Sequence, residues 1–309
     1  MSSTINTVAV LGGTGNIGTH IVRGLLVGGF TVTILTRANS SSPRPTFDPY
    51  PVRFLEVDYS SPSSLVSAFQ GQDAVVSTIA TGAVQEQKKV IDAAIEAGVK
   101  RFVPSEFGVH TRKEGVEKTR LGGLLEGKRA VVDYLISKEG DISWTGLSTG
   151  LFFDSALSKG LAGINVTNGT ATIVDSGNEL WPASLRSHVG RTVSEILRHP
   201  DLTKNQYLAT ASFNVSQNQL VKLVEELTGK KLEVTHVSSK DLLQQGDEKL
   251  NKGDNIGAFV AFLQVHFLAD GAGNKLEEQE SANEKLRLQT EDVKAALRGW
   301  LESEGLLAA

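Results

Sequence analysis

Residues 12–18 read Gly-Gly-Thr-Gly-Asn-Ile-Gly, and the fold turns on this heptapeptide. It follows the apolar run Val8-Ala9-Val10-Leu11 and leads into an amphipathic segment over 16–28. Gly12, Gly15 and Gly18 recur every third residue. Between a strand and a helix, that spacing allows a sharp turn at Gly12. It also allows a pyrophosphate to approach the backbone at Gly15, and close packing of the helix at Gly18. The start of the helix then offers unpaired N–H groups and a partial positive charge to phosphates. Thr14, Asn16 and Ile17 belong to the same cradle. A tight turn that holds no ligand is the competing reading of so short a pattern.

The pattern on either side of the loop supports the dinucleotide reading. Strand-like runs are expected at Thr7–Leu11, Phe30–Thr36, Val52–Val57, Ala74–Thr78, Arg101–Pro104 and Ser143–Ser148. Amphipathic helices are expected between them at 16–28, 63–70, 83–97 and 120–138. Strands that alternate with helices in this way form right-handed βαβ units and a parallel sheet. Later, INVTNGTATIV at 164–174 alternates about Asn168-Gly169, a hairpin signal. Ser216 and Gln219 form a capping box for a helix that Gly229 ends. Further helices are expected at about 187–198, from 239, around 256–268 and at about 290–304. The expected fold is α/β: a Rossmann-type doubly wound parallel sheet with a smaller interleaved α/β substrate-binding domain. Residues 1–155 form the nucleotide-binding part. Residues 156–309 are mainly substrate-binding and contribute late elements to the Rossmann core.

The second strand ends in Thr36-Arg37, where a site for NAD usually carries an acid. Arg37, with Arg44 nearby, suits a 2′-phosphate through charge-assisted bonds, so the expected cofactor is NADPH. Asp58 follows the third strand and can accept from the adenine amino group. Thr78 and Ile79 end the fourth strand beside the expected ribose, and Ser105 and Phe107 end the fifth near the nicotinamide. Phe152 and Phe153 follow the sixth strand and are candidate walls of a substrate pocket.

Composition narrows the alternatives. The 309 residues are 40% hydrophobic and 21% charged, with a net charge of −4 and no long basic block, so a nucleic-acid partner is not expected. The absence of cysteine excludes disulfides and thiolate chemistry. The six histidines show no metal-ligand spacing, and no metal is expected. No signal-like N-terminus or membrane-length apolar run is present, so the expected setting is cytoplasmic, without a membrane partner. A homodimer is the expected assembly.

The string Val103-Pro104-Ser105-Glu106-Phe107-Gly108, taken with the glycine loop and with SQNQLVKLVEELTGKKLEVTHVSSKDLL at 216–243, resembles the isoflavone reductase-like branch of the NmrA-like family. These are atypical short-chain dehydrogenases. The resemblance implies an NADPH-dependent reductase acting on a small conjugated or aromatic molecule. It assigns the family's catalytic lysine, placed at the nicotinamide, to Lys128 in the segment 125–131. Many plant members carry an Arg one turn later, where this chain has Val132. Val109-His110-Thr111 also departs from the usual plant pattern, and His110 is a candidate substrate neighbour. A second motif, Tyr134-x-x-x-Lys138, matches the Tyr/Lys pair of ordinary short-chain dehydrogenases. It falls at the end of its helix, away from the edge where a cofactor would lie, and reads as packing plus a solvated cation. The other reading from the same family is a non-catalytic NADP-binding redox sensor that acts through protein partners.

Overall fold

The computed structural model describes residues 4–38 and 43–307. The first half is strand and helix in turn: β1 Thr7–Leu11, α1 Gly18–Val27, β2 Thr31–Arg37, β3 Arg53–Val57, α2 Pro62–Phe69, β4 Ala74–Ser77, α3 Gln87–Glu96, β5 Arg101–Val103, α4 Arg120–Leu124, α5 Glu126–Ser137 and β6 Ser143–Ser148. The second half continues with β7 Leu151–Phe152, α6 Phe153–Ser158, β8 Ile164–Asn165, β9 Thr170–Val174, β10 Trp181–Ser184, α7 Arg186–Arg198, α8 Pro200–Thr203 and β11 Gln206–Ala209. It ends with β12 Phe213–Val215, α9 Gln217–Thr228, β13 Glu233–Val237, α10 Ser239–Asn251, α11 Asn255–Leu268, α12 Ala282–Lys285 and α13 Val293–Ser303.

Seven strands form one sheet in the order β11-β6-β5-β4-β1-β2-β3, and every pairing in it is parallel. Alternate residues of β1 feed different cores. Val8 and Val10 pack with Ile21, Leu25, Val189 and Val193 on one side; Ala9 and Leu11 pack with Leu65, Phe69, Ile91 and Leu135 on the other. A central parallel strand buried on both faces has to be apolar throughout, which is why TVAVL shows no polar alternation. The doubly wound sheet expected from the sequence is therefore present. Its sixth and seventh positions are filled from residues 143–148 and 206–209.

Two smaller three-stranded sheets, β12-β10-β7 and β13-β9-β8, stand beside the main one. The hairpin about Asn168-Gly169 pairs Ile164 with Ala171 and Asn165 with Thr170. The capping box of Ser216 and Gln219 and the left-handed Gly229 bound α9 as the sequence predicts. A third core gathers Phe153, Trp181, Ile173, Leu220, Phe262, Leu297 and Trp300. Helices α1 and α7 cross with backbone against backbone. A Cβ on Gly24 would lie 2.3 Å from the Gly190 carbonyl carbon and oxygen, so the crossing tolerates no side chain there.

Two expected helices differ from the structure. The span 120–138 is two helices that break at Leu125 (φ −100°, ψ 7°). Gly122, Gly123 and Gly127 weaken a continuous helix there. The span 83–97 opens with a 3₁₀ segment, Thr81–Glu86, and becomes α-helical only from Gln87.

One carboxylate fastens the amino-terminal end of the sheet. Asp73 accepts from the Asn6 N–H at 2.8 Å, the Thr7 N–H at 3.0 Å and the Lys100 ammonium at 2.7 Å. Burial alone would raise its pKa, but the bonds from Lys100, Asn6 and Thr7 outweigh burial and bring it down to about 2. A depressed carboxylate contributes stability that is complete above its unfolded value of 3.8 and is lost as pH falls through about 2. Asp73→Asn should cost about 1–2 kcal/mol at neutral pH, once the linkage is discounted for the solvent that reaches this group. It should also flatten the fall of stability between about pH 4 and pH 2, read by urea denaturation across that range. An unchanged acid limb would show that Asp73 is not linked to folding.

Candidate active site

The strand order reverses between β1 and β4, and the crevice beyond their carboxyl ends is where an open α/β sheet takes its ligand. The glycine loop begins there. Gly12 has φ +72°, and its carbonyl accepts from the Gly15 N–H at 2.9 Å. A Cβ on Gly18 would sit 2.1 Å from the Gly12 carbonyl oxygen, so the first turn of α1 rests directly on the loop. Thr78 closes the other side: its hydroxyl donates to the Leu11 carbonyl at 2.7 Å. No side chain caps the start of α1 at Ile17, and the Thr19 N–H donates to the Gly15 carbonyl at 3.2 Å. Gly15 and Asn16 are exposed, Thr14 is half-buried, and Ile17 packs on the core. The cradle fits a pyrophosphate.

Asn16 also ties the loop to the second half. Its side-chain oxygen accepts from Arg186 at 2.5 Å, and Arg186 is paired with Asp154 at 2.7 Å. Nothing in the sequence pattern singles out Arg186 or Asp154. They are brought together by the α6 and α7 ends, which a local reading cannot place.

Lys128 is the third residue of α5 and is only 7% exposed. Its ammonium donates to the Glu106 main-chain carbonyl at 2.8 Å. Burial lowers its pKa, and the charge of Glu106 raises it. The Glu106 carboxyl is itself fully enclosed. One oxygen accepts from the Thr111 hydroxyl at 2.5 Å and the Tyr207 hydroxyl at 2.7 Å; the other has no partner. Burial, followed by the charge of Glu106, holds the Tyr207 phenol well above its usual pKa.

A cavity of about 440 Å³ opens over Lys128. Asn16, Ala80, Thr81, Gly108 and Ser155 contribute to its wall, so it meets the glycine loop. Most of the rest is apolar: Phe107, Val109, Leu125, Leu151, Phe152, Leu161, Phe259, Leu263 and Phe267. Phe107 and Phe152 both line it. Phe153 does not. It is 0% exposed and packs edge-to-face on Phe213 at 5.0 Å, a core residue that does not line the cavity. Phe152 ends β7 and Phe153 opens α6, so the chain turns between them and the two rings enter different surroundings. His110 lines an adjoining chamber of about 220 Å³ with Tyr207 and His266, on the far side of a partition formed by Gly108, Gly150 and Phe267. Its ring stacks on Tyr207 at 4.7 Å, and burial lowers its pKa.

Ser105 is bonded within the sheet edge. Its hydroxyl donates to the Ile79 carbonyl at 2.8 Å, and its N–H donates to the Gln87 side chain at 2.9 Å. Ser105, Ile79 and buried Gln87 thus lock the ends of β4 and β5 at the spacing the crevice needs. Gln87 was not legible because a buried glutamine at a helix start looks like any surface glutamine.

At the other end of the crevice, Arg37 terminates β2, exposed, with its charge acting on Tyr59. The Tyr59 hydroxyl donates to the Leu35 carbonyl at 3.2 Å, and burial pushes its pKa up to about 12. Arg44 is paired with Glu56 at 3.1 Å and lies over the Phe54 ring. Asp58 caps its own turn: one oxygen accepts from the Ser60 hydroxyl and N–H at 2.6 and 2.8 Å, which lowers its pKa. Of the two arginines, Arg44 is engaged with β3, whereas Arg37 stands exposed at the end of β2.

Tyr134 and Lys138 lie where the sequence reading put them. The Tyr134 hydroxyl donates to Asp92 at 2.5 Å, and the Lys138 ammonium lies 5.5 Å from the Tyr134 ring. Neither lines the cavity. Among the described residues no cluster suited to a metal ion occurs, and no helix is long and apolar enough to cross a membrane.

Comparison with known proteins agrees with this geometry. The model of the NmrA-like family matches residues 4–266. Oxidoreductase aprR of Aspergillus flavus is 39% identical over 288 residues, covering 93% of this chain and 95% of that protein. Isoflavone reductase homolog P3 of Arabidopsis thaliana is 30% identical, covering 80% of this chain and 83% of the relative. The solved structure of AtPrR2 with NADP+ and (+)pinoresinol superimposes with a TM-score of 0.80 at 24% identity, covering 97% of this chain and all of that one. A glycine cradle at the switch point, a buried lysine over an apolar cavity and these likenesses agree: the chain belongs to the NmrA-like family, in its isoflavone reductase-like branch, and is an oxidoreductase.

Proposed function

We propose that this chain is an NADPH-dependent reductase that delivers hydride to a small conjugated or aromatic substrate seated in the cavity over Lys128. The observation that carries the reading is the Lys128 ammonium, buried at the edge of an otherwise mainly apolar cavity that reaches the glycine loop. The residues present fit the cofactor. The uncapped start of α1 and the cradle of Gly12, Gly15 and Gly18 suit a pyrophosphate, and Arg37 suits the 2′-phosphate. AtPrR2, a structural neighbour, was solved with NADP+. When bound, NADPH supplies the hydride.

The chain's own residues do the remainder. The phenyl rings and aliphatic side chains of the cavity exclude water and align a flat substrate. Hydride added to an electron-poor carbon leaves negative charge on a conjugated oxygen. The Lys128 ammonium stabilises that charge and gives up a proton to it. Burial, by lowering the Lys128 pKa, makes the proton easier to release at neutral pH. As the acid of the reaction, Lys128 gives an activity that declines as pH rises through its lowered pKa. A redox sensor would need the cradle but would have no use for an apolar cavity with a buried acid at its edge, so the cavity favours turnover.

Lys128→Met should lower kcat/KM by about 10²–10⁴-fold in a panel of enones, quinone methides and imines. NADPH affinity, read by fluorescence titration, should stay within about threefold, because the cradle at Gly12–Gly18 is untouched. Wild-type turnover in the variant would remove Lys128 from the chemistry. Arg37→Ala should cut the preference for NADPH over NADH by about 10–100-fold, the worth of a charge-assisted bond of about 1.5–3 kcal/mol. A preference unaltered by that change would place the 2′-phosphate elsewhere.

A further inference from the structure

The Glu106 carboxyl takes no part in the steps above, yet it is 0% exposed. A buried carboxylate is costly unless its oxygens are partnered and a cation is near. One oxygen has short bonds from two hydroxyls, Thr111 at 2.5 Å and Tyr207 at 2.7 Å. The other oxygen is buried without a partner. The same residue's main-chain carbonyl receives the Lys128 ammonium at 2.8 Å. That bond uses one of the three N–H donors of an ammonium.

Few charged or titratable groups bear on Lys128. Glu106 comes from the segment after β5, with Tyr207 from β11 behind it. Lys159, which follows α6, is the other ionisable residue in the cavity wall, and α11 presents only Phe259, Leu263 and Phe267. The one group that favours the charged form of Lys128 is Glu106.

We propose that Glu106 is the positioning residue of Lys128: its main-chain carbonyl holds the ammonium, and its enclosed carboxyl, anchored by Thr111 and Tyr207, is the counter-charge to that ammonium in a dry site. This rests on the reading of Lys128 as the acid beside the nicotinamide. It assigns work to Glu106, Thr111 and Tyr207 together. It also explains why the β11 strand, contributed late in the chain, carries a hydroxyl to the carboxyl edge of β5.

The test needs no substrate. An ammonium beside the nicotinamide repels the positively charged oxidised ring. The ratio of dissociation constants for NADP+ and NADPH must therefore change as Lys128 titrates, and the 2′-phosphate, common to both, drops out. Measured by calorimetry across the alkaline range, the wild-type ratio should show one inflection that Lys128→Met abolishes. Glu106→Gln should move the inflection to lower pH by about one to three units, the usual effect of removing an opposite charge at close range. Tyr207→Phe keeps the ring and loses the hydroxyl; it should move the inflection the same way by less, and Glu106→Asp should restore part of it. Should Glu106→Gln fail to fold, Tyr207→Phe decides alone. An inflection that stays put in the folded variants overturns the role given to Glu106 and leaves Lys128 where it is. A wild-type ratio that is flat with pH overturns the placement of Lys128 and this inference with it.

Discussion

An ammonium taken out of water has to be answered by the protein around it, and the carboxyl edge of the sheet is arranged to answer Lys128. Its donor meets the Glu106 carbonyl, and the Glu106 carboxyl is held in turn by Thr111 and Tyr207. Desolvation of a cation costs several kcal/mol even after relaxation. That cost is tolerable because the residues that answer it are fixed by strand ends. Glu106 follows β5, whose end is locked to β4 through Ser105, Ile79 and Gln87. Tyr207 lies on β11, registered residue by residue against β6. The precision of the site is thus a property of the sheet.

The same dependence on distant elements explains which parts of the structure were legible in the sequence. The glycine loop could be read because its demands are local: a left-handed Gly12 and a missing Cβ at Gly18 are settled within seven residues. The central strands β1 and β4 could be read because a strand buried on both faces is largely apolar, and the others from their alternation with helices. Lys128 was identified by family position alone, since a helical lysine has no local mark of burial. Glu106 stood in the recognised PSEFG string, but its partners Thr111 and Tyr207 lie 5 and 101 positions away. No periodicity connects them. Phe153 went wrong for a related reason. An aromatic pair in sequence does not show which ring faces a cavity, because here the chain turns from β7 into α6 between Phe152 and Phe153.

The two halves of the chain are joined by contacts that bear on the site. Helix α7 is pressed against α1 at Gly24 and Gly190, so a helix from the later half braces the one that would receive the phosphates. Arg186 opens α7, pairs with Asp154 on α6 and bonds Asn16 in the glycine loop. A part-buried pair of this kind is more than a solvated surface bridge, because neither partner is free to be replaced by water. Through it, the position of the loop depends on the segment that carries Phe152 and Ser155 into the cavity wall.

This arrangement separates chemistry from selectivity. The groups that act on charge, Lys128 and the Glu106 network, sit at ends of the parallel sheet or on the helix packed against it. The groups that would touch the body of a substrate come mostly from elsewhere: Phe259, Leu263 and Phe267 from α11, Leu151 and Phe152 from β7, and Leu161 after α6. Exchange of one apolar side chain for another in such a wall alters the shape of the cavity without altering the field at Lys128. The reverse does not hold, because a change to Glu106 or its hydroxyl donors bears on the ammonium of Lys128. A fold built this way can change its substrate by repacking α11 while its acid stays tuned.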